Sequence, residues 1–484
     1  TIDQALFATL HIKHHFVRLW GLANRVVVLD EIHAYDTYTS GLIEALLRWL
    51  RAMNCSVVLM SATLPAKRRA ALLRAWGAHG APEITYPRLL LASSEGVCGK
   101  HVPCRPLAPI AVSGIAEDLD GLVAAALEGL AGGGCGVVIV NTVQRAQDLY
   151  SKFKSQLRED AELLLFHARY PADERSEREK LVLRKFGCSE NVQRPARALL
   201  VATQVVEQSL DIDFDFMITD LAPVDLLLQR TGRLHRHEHP RPVAHAMPRL
   251  IVAGFQLERM PELKETAWGF VYDPYVLYRT WDIARAEPVW RLPEDIDRLV
   301  QAVYAKDPLA AEEREEYLKT LDQAFGAHLA SVQEQQQHAL NVAIDAEADP
   351  ASAYLNTHRA NEEGEGEGRR VVTRLGEDSL TVVPVLASEQ GWRLHATDAP
   401  FDPQAEPDPA LALRIYRRQL RLSRKDLVKA LLVQRVPHAF ESHPLLRNLR
   451  PLTFTDGVAN FARLRVRLDP ELGITYETIK TEGV

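Results

Sequence analysis

Short apolar runs alternate with amphipathic helical segments over the first 255 residues. Two runs, 26–29 and 56–60, flank a stretch in which leucines recur at helical spacing, and an arginine-rich helical segment follows at 66–76. An order of strand, helix, strand, helix predicts a parallel sheet. A second series predicts another sheet of this kind, with a helix at 122–130 and strands at 137–140, 163–166, 198–202 and 216–219.

The remaining segments differ in character. Five prolines between residues 82 and 109 predict a turn-rich hinge. One-sided apolar positions over 309–343 predict a long amphipathic helix, whereas the Glu/Gly alternation at 362–368 predicts a mobile linker. A strand at 379–386 and a helix at 423–433, with Ser423 and Asp426 as an N-cap pair, predict a small mixed domain.

We therefore expect an α/β fold with two doubly wound parallel-sheet lobes, the first of them truncated. A helical linker and a small α+β C-terminal domain are expected to follow. The predicted boundaries are 1–85 for the first lobe, 86–255 for the hinge and second lobe, 256–350 for the helical linker, and 351–484 for the flexible linker and C-terminal domain.

Length, charge and cysteine content exclude several classes of protein. A length of 484 residues with 47% hydrophobic residues supports several cores, and a net charge of -7 excludes nucleic-acid binding by bulk charge. Five scattered cysteines argue against a disulfide framework and favour the cytoplasm. No apolar run approaches the ~20 residues of a membrane helix, so no membrane association is expected. The chain opens on Thr1 and soon enters a strand, which we interpret as a fragment of a longer protein.

The first candidate site follows the strand at 26–29. Asp30 and Glu31 suit nucleotide hydrolysis, because one carboxylate can hold hydrated Mg²⁺ and the next can polarise the attacking water. Ser61 and Thr63 end the neighbouring strand, and parallel strands bring their carboxyl ends to one edge. We expect His33 to hydrogen-bond to Ser61 or Thr63 and so to couple the nucleotide site to the nucleic acid.

The second candidate site lies in the other lobe. Arg230, Arg233 and Arg236 are spaced to lie on or near one helical face, and Arg233 and Arg236 are candidate arginine fingers for a phosphate group. Asp211 can hold a ribose or order these arginines. The residues expected to line the nucleotide site are Ser209, Asp211, Gln229 and Gly232.

Polar residues also follow the other strands of this lobe. Amide, hydroxyl and guanidinium groups at a sheet edge suit contacts with a sugar-phosphate backbone. The candidates for nucleic-acid contacts are Asn141, Thr142, His167, Arg169 and Thr203.

Four of these segments, 30–33, 61–63, 203–211 and 229–236, resemble motifs II, III, V and VI of superfamily 2 helicases in their usual order. The extended sequences DEIHAYD, EQSLDIDFD and RLHRH resemble more narrowly the helicase-nuclease of type I CRISPR interference, over nearly the whole chain. The resemblance implies RecA-like lobes, ATP and Mg²⁺ as cofactors, 3′-to-5′ movement on single-stranded DNA, recruitment by the Cascade surveillance complex with its guide RNA, and cutting by an HD nuclease domain.

Two departures from the family pattern matter. The chain has no Gly-x-x-x-x-Gly-Lys-Ser/Thr phosphate loop and no His/Asp cluster suited to the nuclease. Both are expected upstream of Thr1. We therefore expect this chain alone to show neither ATPase nor nuclease activity, and its first lobe to be poorly stable.

Weaker features and alternatives remain open. Cys98, His101 and Cys104 have ligand-like spacing without a fourth ligand, and a plain hinge loop is the preferred interpretation. The histidines at 235, 237 and 239 are interpreted as lobe contacts. The basic run 414–425 is either a solvated strand edge or a guide for DNA or Cascade. The alternatives for the whole chain are a superfamily 2 helicase of another pathway, acting on RNA or DNA, or an inactive remnant that only binds DNA or Cascade.

Overall fold

A computed structural model describes residues 2–12, 14–32, 36–188, 193–207, 210–256, 258–305, 315–349, 373 and 379–479. They belong to two compact units, one made of 1–114, 221–229 and 254–376, the other of 115–220, 230–253 and 377–484. Each unit combines segments that are distant in sequence. The lobe and linker boundaries predicted above stay predictions.

The first unit contains the predicted parallel pair of strands. Val26–Leu29 runs beside Ser56–Leu59 in a register that places Leu29 opposite Leu59. The helix Thr37–Ala52 connects them, and its Leu42, Leu46, Leu47 and Leu50 are all buried, as the spacing predicted. Because successive strand residues point to opposite faces, Val26 and Val28 lie on the other face, where they are 70% and 55% exposed.

Helices make up most of the rest of the first unit. The long amphipathic helix is confirmed as Glu315–Val342, and it packs against Thr37–Ala52. A side chain at Gly41 would place its Cβ 2.8 Å from the Cβ of Ala339, so glycine permits this close packing. The other helices are Ile2–Leu6, the 3-10 turn Phe7–Thr9, His15–Leu22, Ala66–Ala75, Trp268–Val271, Pro274–Ala284 and Glu294–Tyr304.

The proline-rich stretch contains regular secondary structure. It contains an antiparallel hairpin, Arg88–Ser93 with Gly96–His101, and the strand Ile110–Ile115 begins at its end. Val289–Trp290 pairs antiparallel with Ile110 and Ala111. The sequence analysis did not predict these strands, whose ends the prolines flank instead of interrupting them, and the hinge role of the stretch stays a prediction.

The second unit contains a sheet with five parallel strands. Their order across the sheet is Arg249–Ala253, Phe216–Asp220, Gly134–Ile139, Arg197–Ala202 and Glu162–Phe166. The register pairs Ile139 with both Ala202 and Thr219, so these strands end at one edge. The helices Leu119–Ala131, Val143–Gln156 and Ala172–Phe186 connect or precede the strands, and short 3-10 turns occupy Gln204–Val206 and Val243–His245.

The C-terminal part of the second unit is the predicted small α+β domain. Its central strand Leu380–Ser388 runs antiparallel to Gly391–Arg393 and Leu420–Leu422 and parallel to Arg450–Phe454. The other sheet consists of Val458–Phe461, Leu464–Asp469 and Gly473–Thr478. The helices are Pro409–Arg417, Lys425–Leu432 and His438–Ser442. The predicted cap is wrong, because the N-cap residue is Arg424 and no side chain caps this helix.

The basic run 414–425 is not a single surface feature. It is divided among a helix that ends at Arg417, a short strand and the start of the next helix. Arg418 is buried, and its Nη1 donates to Glu174 at 2.9 Å and to Asp173 at 3.2 Å. Arg418 is therefore neither part of a solvated strand edge nor available to guide DNA or Cascade. No helix in the described ranges is long and apolar enough to cross a bilayer.

Candidate functional site

The carboxylate pair Asp30 and Glu31 lies at the end of the first strand, with both residues exposed. The backbone N–H of Glu31 donates to Asp30 Oδ1 at 2.8 Å. Glu31 has a φ of 58°, a left-handed conformation that is uncommon for glutamate and is often found at functional sites. The chain then returns to the neighbouring strand, where Ile32 N–H donates to the Met60 carbonyl at 2.9 Å. His33 lies outside the described residues, so its role stays a prediction.

The coupling residues meet a predicted nucleotide residue within the first unit. Thr63 is buried, and its hydroxyl accepts a hydrogen bond from the Gln229 side-chain amide at 3.4 Å. Ser61 Oγ donates to the Thr63 carbonyl at 3.3 Å. The structure therefore brings together Ser61, Thr63 and Gln229. Thr63 and Gln229 are 166 residues apart in the sequence.

The three arginines of residues 230–236 do not share a helical face. The helix Val224–Thr231 ends after the first of them. Beyond it, the backbone of Phe214 pairs with that of Arg233 and His235, at 2.9 and 3.1 Å. The prediction of a common helical face was wrong, because the Thr-Gly pair at 231–232 ends the helix and an extended contact follows.

Arg230 is a buried structural residue. Its guanidinium is fully enclosed and forms an ion pair with Glu207 at 2.7 Å. It also donates to the Asp220 carbonyl at 3.2 Å and to Asn141 Oδ1 at 3.4 Å. Sequence reasoning did not predict that Arg230 is buried, because its burial depends on strand ends that are distant in sequence.

Arg233 and Arg236 lie nearer the surface, in the loop that follows the helix. Arg233 Nη2 donates to the Glu207 carbonyl at 2.9 Å. Arg236 Nε donates to Asp211 Oδ1 at 2.6 Å, and its Nη1 lies 3.4 Å from the Gly232 carbonyl. The Cys188 thiol and the Arg236 guanidinium together lower the pKa of Asp211 to about 2, although partial burial opposes this. Ser209 lies outside the described residues.

Two buried carboxylates anchor this loop. Asp213 and Asp215 form ion pairs with Arg194 and Arg241, and the Arg241 Nη2 to Asp213 Oδ2 distance is 2.9 Å. Burial alone would raise the pKa of Asp215, but the Cys135 N–H and the two guanidinium groups outweigh it and lower that pKa. Sequence analysis missed both roles; the alternating acids of Asp-Ile-Asp-Phe-Asp were the available signal.

The sheet edge of the second unit holds the five predicted nucleic-acid residues. Asn141 is buried, and its N–H donates to Asp220 at 2.9 Å. Thr142 caps the helix Val143–Gln156 by accepting from the Arg145 N–H. Thr203 is buried as well. The register confirms that these strands end together, whereas contacts of these side chains with nucleic acid stay a prediction.

The segment 167–170 is covered by the C-terminal domain. His167 is fully buried and stacks on Tyr170, with ring centroids 4.3 Å apart, and burial lowers its pKa to about 3. The Arg169 guanidinium lies 4.5 Å from the ring centroid of Tyr476, and burial lowers the pKa of Arg169. Gln147 donates to the carbonyls of residues 472 and 474 at 2.7 and 3.0 Å. In this structure a ligand cannot reach the enclosed His167 ring.

Two clusters of potential metal ligands occur among the described residues. They are Cys188 with Asp211 and His237, and Asp213 with Asp215 and His239. The set Cys98, His101 and Cys104 is not among them, and both cysteines are exposed. Cys98 and His101 lie in the hairpin strand Gly96–His101, so the interpretation as a plain loop was wrong for these two residues.

Two parts of the chain match protein-family models. A family model described as "CRISPR-associated nuclease/helicase Cas3, C-terminal" matches residues 132–239, and one described as "Cas3 C-terminal domain" matches residues 374–474. The CRISPR-associated endonuclease/helicase Cas3 of Thermus thermophilus is 41% identical over 98% of this chain and 56% of that protein. The Cas3 of Streptococcus thermophilus is 32% identical over 87% of this chain and 46% of that protein.

Solved structures give the same result. T. fusca Cas3 with AMPPNP superimposes with a TM-score of 0.83 at 32% identity, over 98% of this chain and 56% of that one. A chain of a structure described as "CRISPR RNA-guided surveillance complex, pre-nicking" has a TM-score of 0.77 at 30% identity, over 98% of this chain and 60% of that one. The chain thus spans about half the length of the curated relatives that it matches.

Proposed function

Because the chain belongs to the Cas3 family of CRISPR-associated helicase-nucleases, we propose that it is the motor part of such an enzyme, an ATP- and Mg²⁺-dependent translocase on single-stranded DNA. The observation that carries the proposal is the position of its helicase-like segments. Asp30, Glu31 and Thr63 follow neighbouring parallel strands of the first unit, and the Thr63 hydroxyl contacts Gln229. Ligands bind at such strand ends in open parallel sheets.

The carboxylate pair fits a bound Mg·ATP complex. Asp30 would hold the hydrated Mg²⁺ through its exposed carboxylate, and Glu31 would orient and polarise water. The bound nucleotide and metal supply the phosphoanhydride and its charge neutralisation. Glu31 has a left-handed backbone conformation, and the contact of its N–H with Asp30 Oδ1 links the two residues at this turn.

The proposed arginine fingers, Arg233 and Arg236, belong to the second unit. Arg236 is the leading candidate for a finger, because it is 41% exposed and is held by a surface carboxylate. To reach a phosphate group, Arg236 must exchange Asp211 for that ligand. Asp211 therefore acts as its resting partner.

We also propose that the phosphate-binding loop and the HD nuclease come from outside residues 1–484, since the sequence contains neither motif. Asp30 and Glu31 without such a loop would repel ATP. The RNA-guided surveillance complex Cascade is the proposed recruiting partner, supported by the similar chain found in such a complex.

Binding to DNA tests the motor assignment directly. Fluorescence anisotropy should show an affinity for single-stranded DNA that falls steeply with salt and varies little with base order, because a translocase contacts phosphate and sugar. The matched ligands are oligonucleotides of equal length in two DNA sequences and in RNA. A preference for RNA would favour a helicase of another pathway, and strong sequence preference would contradict a motor.

A turnover experiment tests the carboxylate roles. In a polypeptide that joins residues 1–484 to a phosphate-binding loop, Glu31→Gln should abolish DNA-stimulated ATP hydrolysis and keep nucleotide binding, because only the group that polarises water is lost. Glu95→Gln, at an exposed hairpin turn, is the matched control. If both variants bind DNA and nucleotide but the parent does not hydrolyse ATP, the chain is an inactive remnant.

A further inference from the structure

The cluster of Cys188, Asp211 and His237 combines a thiol, a carboxylate and an imidazole. Cys188 Sγ lies 2.9 Å from Asp211 Oδ2, and His237 Nε2 lies 3.0 Å from Asp211 Oδ1. The three ligand atoms lie within 4.8 Å of one another. Sulfur, nitrogen and oxygen ligands of these types are those that tetrahedral Zn²⁺ prefers.

The backbone fixes the three residues side by side. Gly187 forms an antiparallel bridge with Ile212, and the Asp213 N–H donates to the Phe186 carbonyl at 2.9 Å, which places Cys188 beside Asp211. On the other side, the N–H groups of residues 236 and 237 approach the Asp213 carboxylate. Three separate segments therefore converge on one point through backbone hydrogen bonds and through the Asp213 carboxylate.

The imidazole of His237, whose side chain is 23% exposed, faces the carboxylate of Asp211. Its Nε2 is enclosed, yet it makes no hydrogen bond with any group in the described part of the chain, although the carboxylate is only 3.0 Å away. The ligand atoms of tetrahedral zinc are separated by roughly 3.3–3.5 Å, as follows from bonds of about 2.0–2.3 Å. A small outward shift of the side chains would therefore admit an ion.

The second cluster, Asp213 with Asp215 and His239, is less suited to a cation. Asp213 and Asp215 are already paired with the guanidinium groups of Arg194 and Arg241, so an added cation would meet two positive charges. In the first cluster Asp211 is paired with Arg236, and both side chains are partly exposed. Cys188 is exposed too, which leaves access for an ion and for a water molecule as fourth ligand.

We propose that Cys188, Asp211 and His237 bind a divalent cation of the zinc class, and that this cation competes with Arg236 for Asp211. The competition follows from geometry, because Arg236 Nε occupies the Oδ1 atom that also faces His237. Any effect on turnover rests on the proposed finger role of Arg236. The binding itself does not depend on that role.

Titration of the 484-residue protein with Co²⁺ tests the site, since thiolate bound to tetrahedral cobalt absorbs in the near ultraviolet. We expect a saturable one-to-one spectrum that Zn²⁺ abolishes by displacement. Cys188→Ser should remove the charge-transfer band, and His237→Ala should weaken binding by more than about tenfold. Arg236→Gln should tighten binding by about fivefold, because it removes the competing cation.

Cys98→Ser changes an exposed cysteine outside the cluster and is the matched control. Thermal melting of each variant confirms that it is folded. No band in the parent protein, or a band that persists in Cys188→Ser, would overturn the site. A band lost in Cys98→Ser would do the same. An unchanged affinity in Arg236→Gln would overturn the competition. Since the readout is metal binding, failure of the motor assignment would leave these results unaffected.

Discussion

Arg230 offers a direct test of the packing at the edge of the second sheet. In Arg230→Ala the fully buried guanidinium is lost, and the side chain of Glu207, which is 6% exposed, remains without its ion-pair partner. Breaking a buried pair by removing one partner costs about 3–5 kcal/mol, mostly because the other charge stays buried. The lost contacts with the Asp220 carbonyl and Asn141 act in the same direction.

The expected fall in melting temperature can be compared for two arginines of the same segment. For a domain of 150–250 residues, each kcal/mol lowers the melting temperature by about 2–4 °C, so Arg230→Ala should lower the melting temperature of the second unit by roughly 6–20 °C. Arg236→Ala is the matched control. Its ion pair with Asp211 is exposed on both sides and should be worth at most about 1 kcal/mol, or about 4 °C.

Differential scanning calorimetry and far-ultraviolet circular dichroism measure both variants. A double variant, Arg230→Met with Glu207→Leu, removes both charges and should recover most of the loss, because apolar replacement of a buried pair is often neutral. If Arg230→Ala melts within about 4 °C of the parent protein, the buried pair is not the stabilising element inferred here.

Three further outcomes are expected. Because the pKa of His167 is depressed to about 3, the neutral ring contributes stability that is complete above pH 6.5. This stability is lost at up to roughly 1.4 kcal/mol per pH unit as the pH falls towards about 3. Melting temperatures measured at about pH 7.5 and 5.5 should show this slope, and His167→Gln should flatten it. Gln147→Ala should lower the free energy of unfolding by about 1–3 kcal/mol and speed protease cleavage within residues 379–479. Gln144→Ala loses only an exposed contact with Asp148 and should match the parent protein. In a polypeptide with a phosphate-binding loop, Arg236→Ala should lower ATP turnover by orders of magnitude with little change in nucleotide affinity, and an unchanged rate in a stopped assay would transfer the finger role to Arg233.

The sequence alone determined which segments form parallel strands and which polar segments follow them. Apolar runs that alternate with helices fold as parallel sheets, because a parallel neighbour needs a crossover. The predicted strands at 26–29, 56–60 and 198–202 are therefore present within one or two residues. Since parallel strands end at one edge, the same pattern brought residues 139, 202 and 219 into register.

Only the tertiary structure decided what the individual side chains contact. Arg230, Arg233 and Arg236 have the same chemistry and even spacing, but the helix ends at Thr231, so one is buried and another reaches the surface. His167 follows a strand as a ligand-binding residue would, yet a domain that begins more than two hundred residues later encloses it. Burial and pairing depend on neighbours that are distant in sequence, and periodicity, which reports only the local backbone and the side that faces the core, does not contain that information.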